Sequence, residues 1–270
     1  MKLRDSDYLR LMMFVKQKYG INLENKQQLI ENRLSNYITE RGFTNFTDFL
    51  NVVFADKSGY EVANVINLLT TNHTYFMREA EHFTHLTEQF LPLMEKKCKD
   101  KDIRIWSAGC SFGNEPYNLA MCIDDYFGFR KKSWDCKILA TDISLNALMT
   151  AKDGVYKKDA LLGLSDKWID KYFIKLSDNL YQVCDRIRNE VVFRYHNLME
   201  PISFKKKFNL ILCRNVMIYF DAPTRDGLCQ RFYDATEDGG FFYLGHTELM
   251  SKNTKYVKKQ PAVYQKIIIP

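Results

Sequence analysis

The sequence predicts an α/β fold. A mainly parallel sheet carries helices on both faces, a small all-helical unit precedes it, and a small β-hairpin insert interrupts it. Three observations predict this. From Asp102 onward short apolar runs alternate with helical patterns, the signature of a parallel sheet wrapped by helices. The stretch RIWSAGCSFGNEPY (104–117) reads as a buried strand, a tight small-residue loop and a helix N-terminus. The first 80 residues show helical periodicity alone.

In that first unit Tyr8, Leu11, Met12 and Val15 share one helical face, and Gly20 stops the helix. A second helix spans 25–41, with Ile30, Leu34, Tyr37 and Ile38 on one side and Gly42 as its stop. Phe46, Phe49, Leu50 and Val53 mark a third, and 60–71 a fourth, with Val62, Val65, Ile66 and Leu69 inward. Lys26 and Arg33 share a stripe on the second helix. Residues 18–41 carry four bases against three acids, so that stripe reads as a solvated face.

The segment TTNHTYFMREAEHF (70–83) sets Asn72, Thr74 and Arg78 among Tyr75, Phe76 and Phe83. Such a mixture can orient a ligand in a mostly apolar pocket. Asn and Thr also favour helix caps, so from these residues alone a capping turn is the favoured reading. A helix over 80–97 leads to the charged cluster 95–102, which divides the chain into a helical domain (1–80), a linker helix (81–101) and a sheet domain (102–270).

The first strand of that domain is 103–106. Its loop lacks both the G-x-G-x-x-G of a dinucleotide site and the Lys-Ser/Thr of a P-loop. Glu115 stands where a phosphate would want positive charge, which favours a ligand with a cationic or hydroxyl-bearing end, as S-adenosylmethionine has. The second strand, 137–141, ends on Asp142, placed to accept hydrogen bonds from ribose hydroxyls. Asp142 could instead cap the next helix, beside Ser144.

Alternation breaks over about 156–192. Strands at 180–183 and 191–193, with a charged turn at 185–189, read as the hairpin insert. Residues 191–195 then lead the sheet on to His196, Asn197 and Leu198. FNLILC (208–213) is the continuous apolar run of a central strand. It ends at Arg214, Asn215 and Val216, and Tyr219 to Asp221 follow on the same rim. A helix over 224–234, a strand over 241–244 and a last strand over 256–269 complete the domain.

Composition limits the partners. A formal charge of +6 over 270 residues does not demand nucleic acid. The seven cysteines form no C-x-x-C pair, and Cys110, Cys122, Cys136, Cys213 and Cys229 sit in apolar settings, as reduced buried thiols do. No metal site is expected. The N-terminus has no apolar signal region and no run is long enough to span a bilayer, so the expectation is a cytoplasmic protein without membrane insertion.

Taken in order, TNHTYFMREAEHF, RIWSAGCSFGNEPYNLAM, ILATDIS, HNL, FNLILCRNVMIYFD and GGFFYLGHTE resemble the CheR family of chemotaxis receptor methyltransferases over essentially the whole chain. The resemblance implies a small helical domain joined to a Rossmann-like, S-adenosylmethionine-dependent methyltransferase domain. It implies methyl esterification of glutamates on chemoreceptor cytoplasmic helices, with S-adenosylhomocysteine as product. It also implies cofactor contacts from Asn72, Thr74 and Arg78, from Glu115 at the amino-acid end and Asp142 at the ribose, and from Asn197, Leu198, Arg214 and Asn215 around the adenosine. Tyr219 matches an aromatic near the transferred methyl, and Arg78 and Tyr219 are the expected catalytic residues.

Two features depart from the family pattern. Phe112 and Asn114 stand where Thr or Ser and Glu are usual, while both glycines that set the loop's path remain. Family members that dock on a receptor's C-terminal pentapeptide tether carry a glycine-containing extension where this chain has IKLSDNLYQ (174–182), so docking without the tether is expected. Two other functions fit the composition less well. A nucleic-acid methyltransferase would want clustered bases and an RNA-binding module. A module that binds the cofactor without catalysis has no need of Arg78, Asp142 and Tyr219 together.

Overall fold

The structure is a computed structural model that describes residues 1–57, 59–70 and 73–267. Four helices open the chain: α1 (Asp5–Tyr19), α2 (Gln27–Glu40), α3 (Phe46–Ala55) and α4 (Tyr60–Leu69). Gly20 ends α1 in the left-handed region at φ 70°, and Asn45 caps α3 by accepting from the Asp48 N–H. The linker helix is α5 (Glu81–His85) and α6 (Leu91–Lys97), joined through a π turn at Leu86–Phe90. The turn sits where Pro92 has no N–H to offer the Glu88 carbonyl.

The remaining elements are β1 (Ile105–Ala108), α7 (Asn114–Phe127), β2 (Ile138–Asp142), α8 (Leu145–Asp153), β3 (Val155–Lys157), α9 (Asp166–Tyr172), β4 (Phe173–Ser177), β5 (Leu180–Val183), α10 (Asp185–Arg188), β6 (Val191–Tyr195), β7 (Phe208–Cys213), α11 (Ala222–Ala235), β8 (Thr236–Leu244), β9 (Tyr256–Gln260) and β10 (Val263–Lys266). Seven strands form one sheet in the order β6-β2-β1-β7-β8-β10-β9. From β6 to β8 every pairing is parallel; β10 runs antiparallel to both β8 and β9.

The apolar strands divide by alternation. Ile105, Leu210 and Phe241 join one buried cluster, with Leu86, Phe90 and Leu119. Their neighbours Trp106, Ile211 and Phe242 join the other, which runs on without a break into Leu11, Ile30 and Phe49 of the N-terminal helices. Both sheet faces are therefore dry, as a parallel sheet requires.

Two details differ from expectation. The stretch 180–183 does not pair with 191–193. β5 lies between β3 and β4 in a separate three-stranded antiparallel sheet, and β6 is the edge of the main sheet, register-paired from Ile138↔Val191 to Asp142↔Tyr195. The 185–189 turn is in fact α10, which carries the chain from one sheet to the other. The last stretch is a hairpin, not one strand: Pro261 cannot continue a ladder, and Ala262 turns the chain at φ 59°.

Candidate active site

Chain order reverses between β1 and β7. Ligands of open α/β sheets bind outside the strand carboxyl ends at such a point. A cleft of about 990 Å³, counting its open mouth, lies there. It gathers Thr74, Arg78, Glu115, Asp142, Asn197, Leu198, Arg214, Asn215 and Tyr219, residues drawn from five separate stretches of sequence. Asn72 lies outside the described residues.

The loop after β1 forms the floor. Its path is fixed at both ends by glycines in the left-handed region, Gly109 at φ 84° and Gly113 at φ 86°. A Cβ on Gly109 would stand 2.4 Å from Cγ2 of Val216, so loop and rim touch with no room for a side chain. The N–H groups of Gly109 and Cys110 both donate to the Thr141 carbonyl, at 2.8 and 2.9 Å, which ties the loop to the end of β2.

Asp142 completes that tie. It is 8% exposed, and its two oxygens accept from the N–H of Ser111 (2.7 Å) and of Ser144 (2.8 Å). Ser144, not Asp142, caps α8, accepting from the Ala147 N–H. Burial pushes the Asp142 carboxyl above its usual range, against the pull of the surrounding backbone N–H groups. Asp142 lines the cleft, and each of its oxygens has acceptor capacity beyond these bonds that a hydroxyl could use.

Arg214, at the end of β7, organises the centre. Its side chain is 3% exposed. Nη1 donates to Oε2 of Glu115 at 2.9 Å, while Nη2 donates to the Arg78 carbonyl and to Oε2 of Glu79 at 3.1 Å. The guanidinium carbon lies 5.7 Å from the centre of the Phe83 ring. Glu115 also accepts from the Ser107 hydroxyl. Arg214 thus reaches the cleft wall with its fork already committed to protein partners. Glu79, which sequence reasoning passed over, takes Arg214, Asn215 and the His246 N–H. Burial raises its carboxyl, but Arg214 and these hydrogen bonds outweigh that and hold it below the usual range. The signal for Glu79 was its place beside Arg78 in the polar-aromatic segment.

That segment is bolted down. Phe76 is fully buried, edge-on to Tyr156 and Phe173. Met77 and Glu79 both adopt positive φ, and the Met77 N–H is held by Oδ1 of Asn118 at 2.8 Å. Two non-glycine residues in that region cost energy that these contacts must offset. The result presents Arg78 to the cleft, half-buried, over the Tyr75 ring at 5.8 Å, with one N–H on the His73 carbonyl at 2.8 Å.

The helical unit supplies the far wall. Tyr19 and Ile21 line the cleft, Ile21 forms a bridge with Phe220, and the Asn22 N–H donates to the Tyr219 carbonyl. Lys26 lies 5.9 Å from the centre of the Tyr219 ring. Asn197 uses its amide on backbone, donating to the Lys18 carbonyl and accepting from the Met199 N–H, and so joins α1 to the rim. Nothing in the spacing of residues 19–26 announces this role.

Glu79, His82 and His246 bring three potential ligand atoms within 4.8 Å of one another. Glu79 is already neutralised by Arg214, whose positive charge also opposes a metal cation at this position. Burial, reinforced by Arg214, lowers His82 to about 3, so its ring is neutral at ordinary pH. All seven cysteines are free thiols, and burial raises those of Cys110 and Cys213 beside the site.

A family profile described as the CheR methyltransferase SAM-binding domain matches residues 72–265, and one described as the CheR methyltransferase all-alpha domain matches residues 6–70. The chain belongs to the CheR methyltransferase family. It is 40% identical to a chemotaxis protein methyltransferase of Borreliella burgdorferi, over 95% of this chain and 93% of that one. A probable chemotaxis protein methyltransferase of Rhizobium etli is 36% identical (87% and 88% covered), and the chemotaxis protein methyltransferase of Escherichia coli 33% (92% and 86%). As a CheR methyltransferase the chain takes S-adenosylmethionine. The cleft fits that ligand: a buried carboxylate, Asp142, lines it with acceptor capacity to spare, and aromatic side chains line much of the remainder. Among the described residues no helix is long and apolar enough to cross a membrane.

Proposed function

We propose that this CheR-family methyltransferase esterifies glutamate side chains on the cytoplasmic helices of chemoreceptors, acting in the cytoplasm. The observation that carries the proposal is Arg78, a half-buried guanidinium at the cleft wall that, among the described residues, gives one N–H to the His73 carbonyl. When bound, S-adenosylmethionine supplies a methyl group on a cationic sulfur. A glutamate carboxylate, with a reference pKa of about 4.3, arrives already ionised, so no general base is needed. The remaining donors of Arg78 can grip a carboxylate by a forked contact and hold it in line. Tyr219 walls the same space and excludes water that would otherwise solvate the reacting charges. Asp142 orients the ribose. Thr74 and Asn72 add polar contacts along the segment 72–78. Glu115, Asn197, Leu198, Arg214 and Asn215 shape the pocket, with Glu115, Arg214 and Asn197 acting largely through their protein partners.

The insert supports recognition of receptors without the pentapeptide tether. β4 and β5 are joined by the two residues Asp178 and Asn179, with Ser177 paired to Leu180, so there is no glycine-containing extension.

The test is direct. The protein is incubated with methyl-labelled cofactor and receptor cytoplasmic fragments, and base-labile label is counted. Esterification of glutamates by the native chain is expected, with a loss of about a hundredfold or more in Arg78→Ala. Label that resists base, or full turnover in Arg78→Ala, overturns the assignment. Measurable binding of the isolated pentapeptide would overturn the tether-free reading alone.

A further inference from the structure

The edge of the sheet opposite the cleft carries the chain's positive charge. Because β1, β2 and β7 are parallel, the segments that lead into them, residues 96–104, 128–137 and 205–207, meet at one edge. These segments hold twelve basic and three acidic residues. The bordering acids Glu95, Glu190, Glu237 and Asp238, with Lys266 beside Asp238, bring the surplus to six, as large as the formal +6 of the whole chain. The remainder of the molecule is therefore close to neutral.

Contacts hold the three segments together. Asp102 bridges to Asp135, and Arg104 and Lys206 both pair with Asp102. Lys131 pairs with Glu190 at the foot of β6. Asp102 and Glu190 are partly buried and paired, while Lys132, Lys205 and Lys207 stand exposed. In their midst the short turn Gly128–Ser133 raises Phe129, 89% exposed, followed directly by Arg130, Lys131 and Lys132. Covering this ring would remove apolar surface from water, and its setting among basic side chains distinguishes it from the chain's other exposed apolar residues.

We propose that this edge is a peripheral docking surface for an anionic lipid bilayer. A spread of lysines attracts acidic headgroups, each contributing as it nears the surface, and an aromatic ring among them enters the headgroup layer. The lipid favours this geometry over a nucleic acid, because a single ring on a convex turn is not the stacking groove a strand requires. Docking by this edge leaves the cleft, at the other end of the same strands, facing away from the lipid and open.

The test is co-sedimentation of the full chain with vesicles of phosphatidylcholine alone and with added phosphatidylglycerol, at low and high salt. Binding to the anionic vesicles only, lost at high salt, is expected. The triple variant Lys132→Glu, Lys205→Glu, Lys207→Glu should weaken partitioning by on the order of tenfold or more. Phe129→Ala should weaken it about fivefold. Both variants should keep native cofactor affinity and methyl transfer to soluble receptor fragments, which shows that they fold. No sedimentation with anionic vesicles at low salt overturns the proposal, as does equal binding by the triple variant. Tighter binding to a short RNA than to the vesicles reassigns the surface and also overturns it.

Discussion

Arg214 and Glu115 form an ion pair across the centre of the cleft, Nη1 to Oε2 at 2.9 Å, with both side chains largely out of water. The same guanidinium holds Glu79 and the Arg78 carbonyl, so one residue joins the glycine-loop helix, the rim of β7 and the segment bearing Arg78.

Truncation at this position leaves two carboxylates without their counter-charge. Arg214→Ala is expected to cost about 3–5 kcal/mol of stability, read from urea unfolding. Arg214→Lys keeps the charge but cannot reach three acceptors in one plane. It should fold, with cofactor affinity reduced about tenfold or more by calorimetry. Wild-type affinity in the Lys variant would show that charge alone suffices.

Asp142→Asn replaces one acceptor oxygen with an amide that meets the N–H of Ser111 or Ser144 head-on. Affinity for S-adenosylhomocysteine should fall by about ten- to a hundredfold. A variant with native affinity would remove Asp142 from the ligand contacts.

Gly109→Ala tests the contact between loop and rim. The added methyl meets Val216 at 2.4 Å and the backbone resists φ 84°. A loss of about 2 kcal/mol or more of stability is expected, together with weaker cofactor binding. In Gly109→Ala with Val216→Ala the clash is relieved and the residual loss reports backbone strain alone.

Three histidines set the acid response. Burial lowers His82 to about 3, with Arg214 and His246 adding to the effect and Glu79 opposing it; burial also lowers His85 and His196. A histidine with a depressed folded pKa takes up its proton on unfolding. Its contribution is complete above the unfolded value of about 6.5 and is lost as pH falls below it. For His82 alone the loss approaches about 1.4 kcal/mol per pH unit between roughly 6.5 and 3. Unfolding midpoints measured from pH 7.5 to 5 should fall accordingly. His82→Phe keeps the stack on Tyr243 and should flatten that decline.

Much of the site could be read from sequence because its determinants are local. A glycine in the left-handed region, an acid at a strand end and a cap such as Ser144 act on neighbours a few residues away, and alternating apolar residues mark both faces of each strand. The partner of β5 could not be read this way. Residues 180–183 have apolar neighbours on both sides in sequence, and the choice of β3 and β4 over β6 follows from β6 completing the main sheet.

Sequence by itself determined the helical unit, the parallel α/β sheet, the glycine loop, and which rim residues would meet. Tertiary structure alone decided how they are held. Arg214 finds Glu115 across 99 residues and Glu79 across 135, and Asn197 finds the Lys18 carbonyl across 179. No periodicity encodes such pairs. They exist because parallel strands return every crossover to the same edge, where buried charges from distant segments must neutralise one another.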